Sequence, residues 1–233
     1  MDVIIEAILD ALRLLFSVDQ SLLEIIGLTL MVTSSGLFFA SVIGFPLGIL
    51  FGLRAKLPGA GCLVPLIYTG MGLPPVVVGL VVYLFLSNRG PLGAWRLLFT
   101  PSAMVVAQTI IALPLIIGLT IAALKSLPES LSHQLRSLGA TPVQMSITML
   151  LEARAGLFAA IVAAFGSIIS EVGAVILVGG NIEGETRVLT TAIVLETRKG
   201  NFGLALALGF VLLLLAFGAN ALLYALQKKG IER

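Results

Sequence analysis

The chain has 233 residues, of which 58% are hydrophobic and 11% charged, with a mean hydropathy of +1.12. Soluble domains carry about 25% charged residues, so the composition excludes a water-soluble globular domain and requires an integral membrane protein. The formal net charge of +2 identifies no partner, and a single cysteine (Cys62) and a single histidine (His133) leave no intrachain disulfide and no metal-ligand cluster.

Residues 1–20 carry Asp2, Glu6, Asp10 and Arg13, so they lack the uninterrupted apolar stretch of a signal peptide. Val3, Ile4, Ala7, Ile8, Ala11, Leu12 and Leu15 recur at helical spacing. An amphipathic helix lying in the membrane interface is therefore expected. Apolar runs of about 18 residues or more with few charges read as spanning helices. Four such runs are clear: Leu22–Leu53, Gly61–Leu86, Ala103–Leu124 and Phe202–Leu226. A fifth, Gly156–Gly179, is equally apolar but contains Glu171. None shows the short alternating pattern of a membrane barrel. The expected fold is all-α, about five transmembrane helices in one domain over residues 1–233.

Pro46, Pro74 and Pro75 are expected to bend their spans. Thr29, Thr33, Ser34 and Ser35 on the first span and Gln108 on the third are candidates for lining a pathway, or for packing helices through small hydroxyls. Residues 124–147 form a polar island, and the loop that carries it runs over residues 125–155. Ser126 and Glu129 have capping-box spacing, with Pro128 in the first turn. Leu131, Leu135 and Leu138 then share a stripe, and Gly139 stands where a helix wants a left-handed residue. Thr141-Pro-Val-Gln144 repeats the capping device. One short helix should end at Gly139 and a second begin at once, giving a bent knob. A plain connector needs only about 2–8 residues.

Ser167, Ser170 and Glu171 lie at i, i+3 and i+4, so an unbroken helix would place them on one face. A carboxylate in hydrocarbon is expensive and points to function; it is expected either to be protonated or to be hydrogen-bonded across helices. In residues 180–201, Val188, Ala192, Leu195 and Glu196 suggest a short helix dipping into the membrane edge. Thr186, Arg187, Thr190 and Thr191 are that segment's polar candidates, either for docking contacts and loop stability or, in the case of Arg187, as an electrostatic lure at the surface. The loop Arg54–Gly59, the loop over residues 125–155 and the tail hold eight basic residues against six on the other side. By the positive-inside rule this places the N-terminus outside and the C-terminus in the cytoplasm.

Here the residues reach a family. "RSLGATPVQMSITMLLEARAGL" (136–157) resembles the cytoplasmic signature loop of bacterial ABC importer permeases, roughly E-A-A, three residues, then G. Leu138, Gly139 and Ala140 match its centre, whereas His133, Gln134 and Leu135 stand in the E-A-A positions. "GLPPVVVGLVVYLFLSNRGPLG" (72–93) and "ISEVGAVILVGGNIEGETRVLTTAIVLETRKGNFGLALAL" (169–208) look like the molybdate/tungstate branch, the second being most like tungstate permeases.

The resemblance implies a type I ABC importer permease that works as a homodimer in the cell membrane. It also implies a separate cytoplasmic ATPase and an extracytoplasmic oxyanion-binding protein, and it sets residues 180–201 at the extracytoplasmic mouth, where Thr186, Arg187, Thr190 and Thr191 would face the entering anion. ATPase coupling would fall on Leu135, Leu138, Gly139, Ala140 and Thr141. Molybdate or a sulfate-like oxyanion is the alternative cargo. An ATPase-independent secondary transporter is a further alternative, although the inverted repeats such proteins use are not visible here. The chain has no P-loop G-x-x-x-x-G-K-[ST]. It is therefore expected to bind no cofactor itself, with ATP handled by the partner subunit, and no nucleic-acid partner is expected.

Overall fold

The computed structural model describes residues 5, 9, 20–53 and 60–231, the side chains of 60 and 226–231 excepted. The interfacial helix expected over residues 1–20 falls outside them except for Ile5 and Leu9, which are helical and exposed, and for Gln20, which already belongs to the first long helix. The described residues form helices and turns, with no strand among them.

In chain order the helices are α1 (Gln20–Leu53), α2 (Ala60–Gly70), α3 (Pro75–Leu86), α4 (Pro101–Lys125), α5 (Glu129–Ser137), α6 (Pro142–Glu152), α7 (Arg154–Ile169), α8 (Gly173–Gly179), α9 (Leu189–Arg198) and α10 (Phe202–Ile231). A 3₁₀ turn, Gly93–Trp95, precedes α4. Three helices, α1, α4 and α10, are each long and apolar enough to cross a membrane, and counting each of two bent pairs as one span gives five.

The organising contact is the seam between α1 and α4. Gly36, Ala40, Gly44, Gly48 and Gly52 recur every fourth residue along α1, on one face. A Cβ added at Gly36 would lie 2.9 Å from Gln108 Cβ, at Gly44 2.8 Å from Ile116 Cγ2, at Gly48 2.6 Å from Thr120 Cβ, and at Gly52 2.7 Å from Leu124 Cδ1. The partners on α4 also advance by four, and in the same direction. The two helices are therefore parallel, in small-residue contact of the kind that drives helix association in lipid. α1 runs unbroken through Pro46.

Parallel α1 and α4 require the chain between them to return once. α2 and α3 provide that return, bent by 103° at Met71–Pro74, where Pro74 and Pro75 were expected to act. The ends of α1 and α4 then lie on one side of the bundle. Leu22 at the start of α1 packs with Leu189 of α9 and with Leu208 and Val211 near the start of α10. α10 therefore starts on the opposite side and runs parallel to α1.

Two expectations are corrected. The run Gly156–Gly179 is not one helix: α7 begins at Arg154 and stops at Ile169, and α8 starts only at Gly173. The cause lies partly in two glycines at the contact of α3 and α8: Gly79 meets the Ala174 backbone, and Gly173 meets the Val76 side chain. A Cβ at Gly79 would sit 2.5 Å from Ala174 Cα, so α8 must leave the α7 axis to pack on α3. Nor does Ser126 form a capping box. It is the C-cap of α4, its hydroxyl donating to the Ala123 carbonyl at 2.9 Å, and Pro128 precedes α5 with no side-chain cap. A box from Ser126 would put Leu127 in helical backbone just before a proline, which the proline ring disfavours.

Candidate coupling knob and translocation site

The knob, α5 and α6, stands between the end of α4 and the start of α7. α5 closes with a complete Schellman arrangement. Gly139, at φ +74, donates its N–H to the Arg136 carbonyl (3.0 Å), and the Ala140 N–H reaches the Leu135 carbonyl (3.0 Å). Thr141 then caps α6 in extended backbone, φ −65 and ψ 158. Its Oγ1 accepts from Gln144 N (3.3 Å) while its own N–H donates to Gln144 Oε1 (2.9 Å). The extended conformation is what a residue before proline prefers, so this box forms where the first did not.

Two locked caps three residues apart, Leu138 and Thr141, make the corner rigid. Apolar side chains stand exposed on it: Leu138 is 83% exposed and Val143 68%, with Ile147 and Leu151 also exposed. Leu135 is half-buried, and His133 and Gln134 are exposed. Val143, Ile147 and Leu151 recur every four residues, a signal that the sequence carried and the cap pattern overshadowed. At the base of the knob α7 bends 60° away from α6. A Cβ at Gly156 would lie 2.5 Å from Ala123 Cβ, so the start of α7 rests directly on the end of α4.

Of the expected pathway residues, the structure gathers some and separates others. Gln108 is buried at the junction of α1, α4 and α7. Its Nε2 donates to the Ile168 carbonyl at 3.1 Å, one of the last carbonyls of α7, and its Oε1 has no partner. Thr33 is buried, whereas Ser34 is exposed, off the buried stripe of α1. Ser167 and Ser170 are exposed, and Ser170 Oγ donates back to the Gly166 carbonyl at 3.0 Å. Ser167 also lines a cavity of about 240 Å³ against the α2–α3 bend.

The single polar face expected for Ser167, Ser170 and Glu171 is not present, because the helix ends between them. Glu171 is half-buried, and its Oε1 accepts from the Ala174 N–H at 2.9 Å, satisfying a donor in the first turn of α8. The carboxylate thus caps the start of α8.

The anion-facing hydroxyls expected in the 180–201 segment turn inward. Thr186 Oγ1 donates to the Gly179 carbonyl (2.6 Å) and Thr190 Oγ1 to the Glu171 carbonyl (3.0 Å). Thr191 Oγ1 accepts from Val188 N (3.1 Å). Thr29, expected as a lining residue, instead accepts from Leu189 N at 3.0 Å and so caps α9 from α1. α9 itself lies where the sequence placed a short helix, with Leu189, Thr190, Thr191 and Ala192 buried. At its far end Lys199 (2.8 Å) and Asn201 (3.1 Å) hold the Glu196 carboxyl below its ordinary range, chiefly through the lysine hydrogen bond and against some burial. Arg187 is no free lure: it pairs with Glu183 at 3.1 Å and lines a cavity of about 470 Å³ with Glu24, Glu183 and Glu185.

A bent-span helical bundle of this kind, with a capped knob between two crossings, is the architecture of a multi-pass membrane transport subunit. The chain belongs to the family of binding-protein-dependent transport system inner membrane components, matched over residues 44–230. It is 41% identical, over 98% of its length and all of the relative's, to a tungstate uptake system permease protein of Peptoclostridium acidaminophilum. It is 43% identical to a probable anion ABC transporter permease protein of Haloferax volcanii, over 86% of this chain and 88% of that one. Its fold matches, with a TM-score of 0.72 at 19% identity, a chain of a bacterial ABC transporter involved in the import of alginate, covering 94% of this chain and 83% of that one.

Proposed function

We propose that the chain is the membrane channel of an ATP-driven importer for a tetrahedral oxyanion, with tungstate as the cargo. The observation that carries the ATP-driven part is the knob: a rigid, doubly capped corner with Leu138 and Val143 exposed, in a chain with no nucleotide-binding loop. Exposed apolar surface of that kind marks a protein contact. The tungstate assignment is supported by the full-length relative of that description.

In this reading the knob docks on a cytoplasmic ATPase subunit through Leu135, Leu138 and the Gly139–Thr141 corner. The side bearing the knob is cytoplasmic, the N-terminus is outside, and a binding protein delivers the anion to the opposite face. Two copies form the channel, so that Ser34, Ser167 and Ser170, exposed in one copy, are available to the pathway or the second copy. Gln108 and Glu171 shape that pathway through the bonds they make, and Thr33 and Arg187 support it from within.

Because the caps fix α5 to α6 and Gly156 fixes α7 on α4, a push on the knob travels along α7. It reaches the Gln108–Ile168 bond and the break at Ser170–Val172. No cofactor is held by this chain; ATP is hydrolysed by the partner. The test is extraction in mild detergent. The chain should co-purify with a P-loop ATPase encoded beside it and hydrolyse no ATP alone. Robust hydrolysis by the isolated chain would overturn the proposal.

A further inference from the structure

The face opposite the knob is electrically divided. Arg187 is tied to Glu183 in a cavity that also holds Glu24 and Glu185, so that side repels a dianion. A second cavity on the same face, of about 830 Å³, is lined by Tyr83, Ser87, Asn88, Arg89, Arg96 and Phe99 among others, with no carboxylate in its wall. Neither guanidinium has an ion-pair partner among the described residues.

The loop that carries both arginines is built rather than draped. Leu92 N donates to the Phe85 carbonyl at 3.0 Å, folding the loop back on the last turn of α3. Gly90 and Gly93 pack so tightly on Leu84 and Ser87 carbonyls that no side chain fits there. Arg96 (φ 49) and Phe99 (φ 62) both hold left-handed backbone that such residues seldom adopt. They are kept there by the Arg96 N–H on the Gly93 carbonyl (3.1 Å) and the Phe99 N–H on the Val178 carbonyl (2.8 Å). The Phe99 ring stands edge-on to Tyr83, centroids 6.2 Å apart. Strained positions held by their surroundings concentrate at ligand sites.

We infer that this cavity is a capture site for a tetrahedral oxyanion, which Arg89 and Arg96 grip with Asn88 beside them. The inference rests on the oxyanion reading above. Guanidinium forks match the oxygens of such an anion and do not lose their charge. Two of them on one concave wall suit a small dianion better than the broad face of an acidic protein, and they raise its local concentration at the mouth.

The test uses the whole chain in lipid nanodiscs without partners, with tungstate and sulfate as probes in equilibrium dialysis. Wild type should bind one anion per chain saturably, more weakly as salt rises. Arg89→Gln/Arg96→Gln should weaken binding at least tenfold, with thermal unfolding unchanged because both side chains are exposed. The Arg198→Gln control should bind as wild type. Absence of saturable binding, or equal binding by the double variant, overturns the inference. So does a double variant that binds anion normally but loses affinity for the binding protein, which would make the patch a docking surface. The assay involves no ATP and no transport. A chain that captures anion here yet supports no uptake would therefore refute the transport reading and leave the site standing.

Discussion

Replacing Gly48 by alanine adds one methyl group to the α1–α4 seam. Its Cβ would lie 2.6 Å from Thr120 Cβ, 2.7 Å from Thr120 Cγ2 and 3.1 Å from the Ile117 carbonyl oxygen. Carbon atoms rest at roughly 3.5–4.0 Å, so the two helices must part locally by about 1 Å. The obstacles are a Cβ and a backbone carbonyl, neither of which swings away. Parting the helices loosens the neighbouring contacts at Gly44 and Gly52, and a gap of that size forfeits about a quarter to a half of each carbon contact. Overpacking of this kind costs about 1–3 kcal/mol.

Gly27→Ala on the same helix is the matched control, because nothing lies within 4 Å of its added Cβ. Both changes bring the same helix-propensity gain, at most about 1 kcal/mol, so their difference isolates the seam. Unfolding in detergent should therefore find Gly48→Ala about 1–3 kcal/mol less stable than Gly27→Ala. Thr120→Gly, which removes the two nearest atoms, should restore most of the loss, with a coupling of about 1–2 kcal/mol. Equal stability of the two alanine variants would refute the parallel seam.

Glu171→Gln keeps the oxygen that accepts from Ala174 N and should unfold within about 0.5 kcal/mol of wild type, whereas Glu171→Ala should cost about 1–2 kcal/mol; an equal loss in both variants would show that the charge, not the cap, matters. Gly139→Val has open space around it, so its penalty is backbone strain at φ +74, about 1–3 kcal/mol. It should insert normally and lose transport, while His133→Ala transports as wild type; the reverse pattern would assign coupling to side-chain chemistry at the knob. In a Cys62→Ala background, an impermeant thiol reagent applied to intact cells should label Glu183→Cys and spare Gln134→Cys, and inverted labelling would invert the topology.

The sequence announced whatever depends on neighbours along the chain. Hydropathy marked the spans, Pro74-Pro75 marked the 103° bend, and Gly139 with Thr141–Gln144 marked the corner of the knob, because caps are local hydrogen bonds. Ser126 misled because spacing alone ignores the constraint that Pro128 places on Leu127. The stripe from Gly36 to Gly52 was readable as small residues every fourth position. Its partner was not, since the pairing with Gln108 to Leu124 is set by tertiary packing. The partners of Glu171 and of the inward threonines were unreadable for the same reason: which hydroxyl meets which carbonyl depends on how α8 packs on α3, away from the α7 axis. Arg187 looked like a free cation because its partner Glu183 lies one helical turn back in a loop, where sequence spacing gives no assurance of contact.

The most direct test of the central claim is tungstate accumulation in sealed proteoliposomes that hold this chain and its ATPase, with ATP on the knob side and loaded binding protein on the other. Uptake should require all three proteins and ATP, and should stop when the ATPase is omitted. Accumulation that continues without the ATPase, driven by an ion gradient, would contradict the claim and identify a secondary transporter.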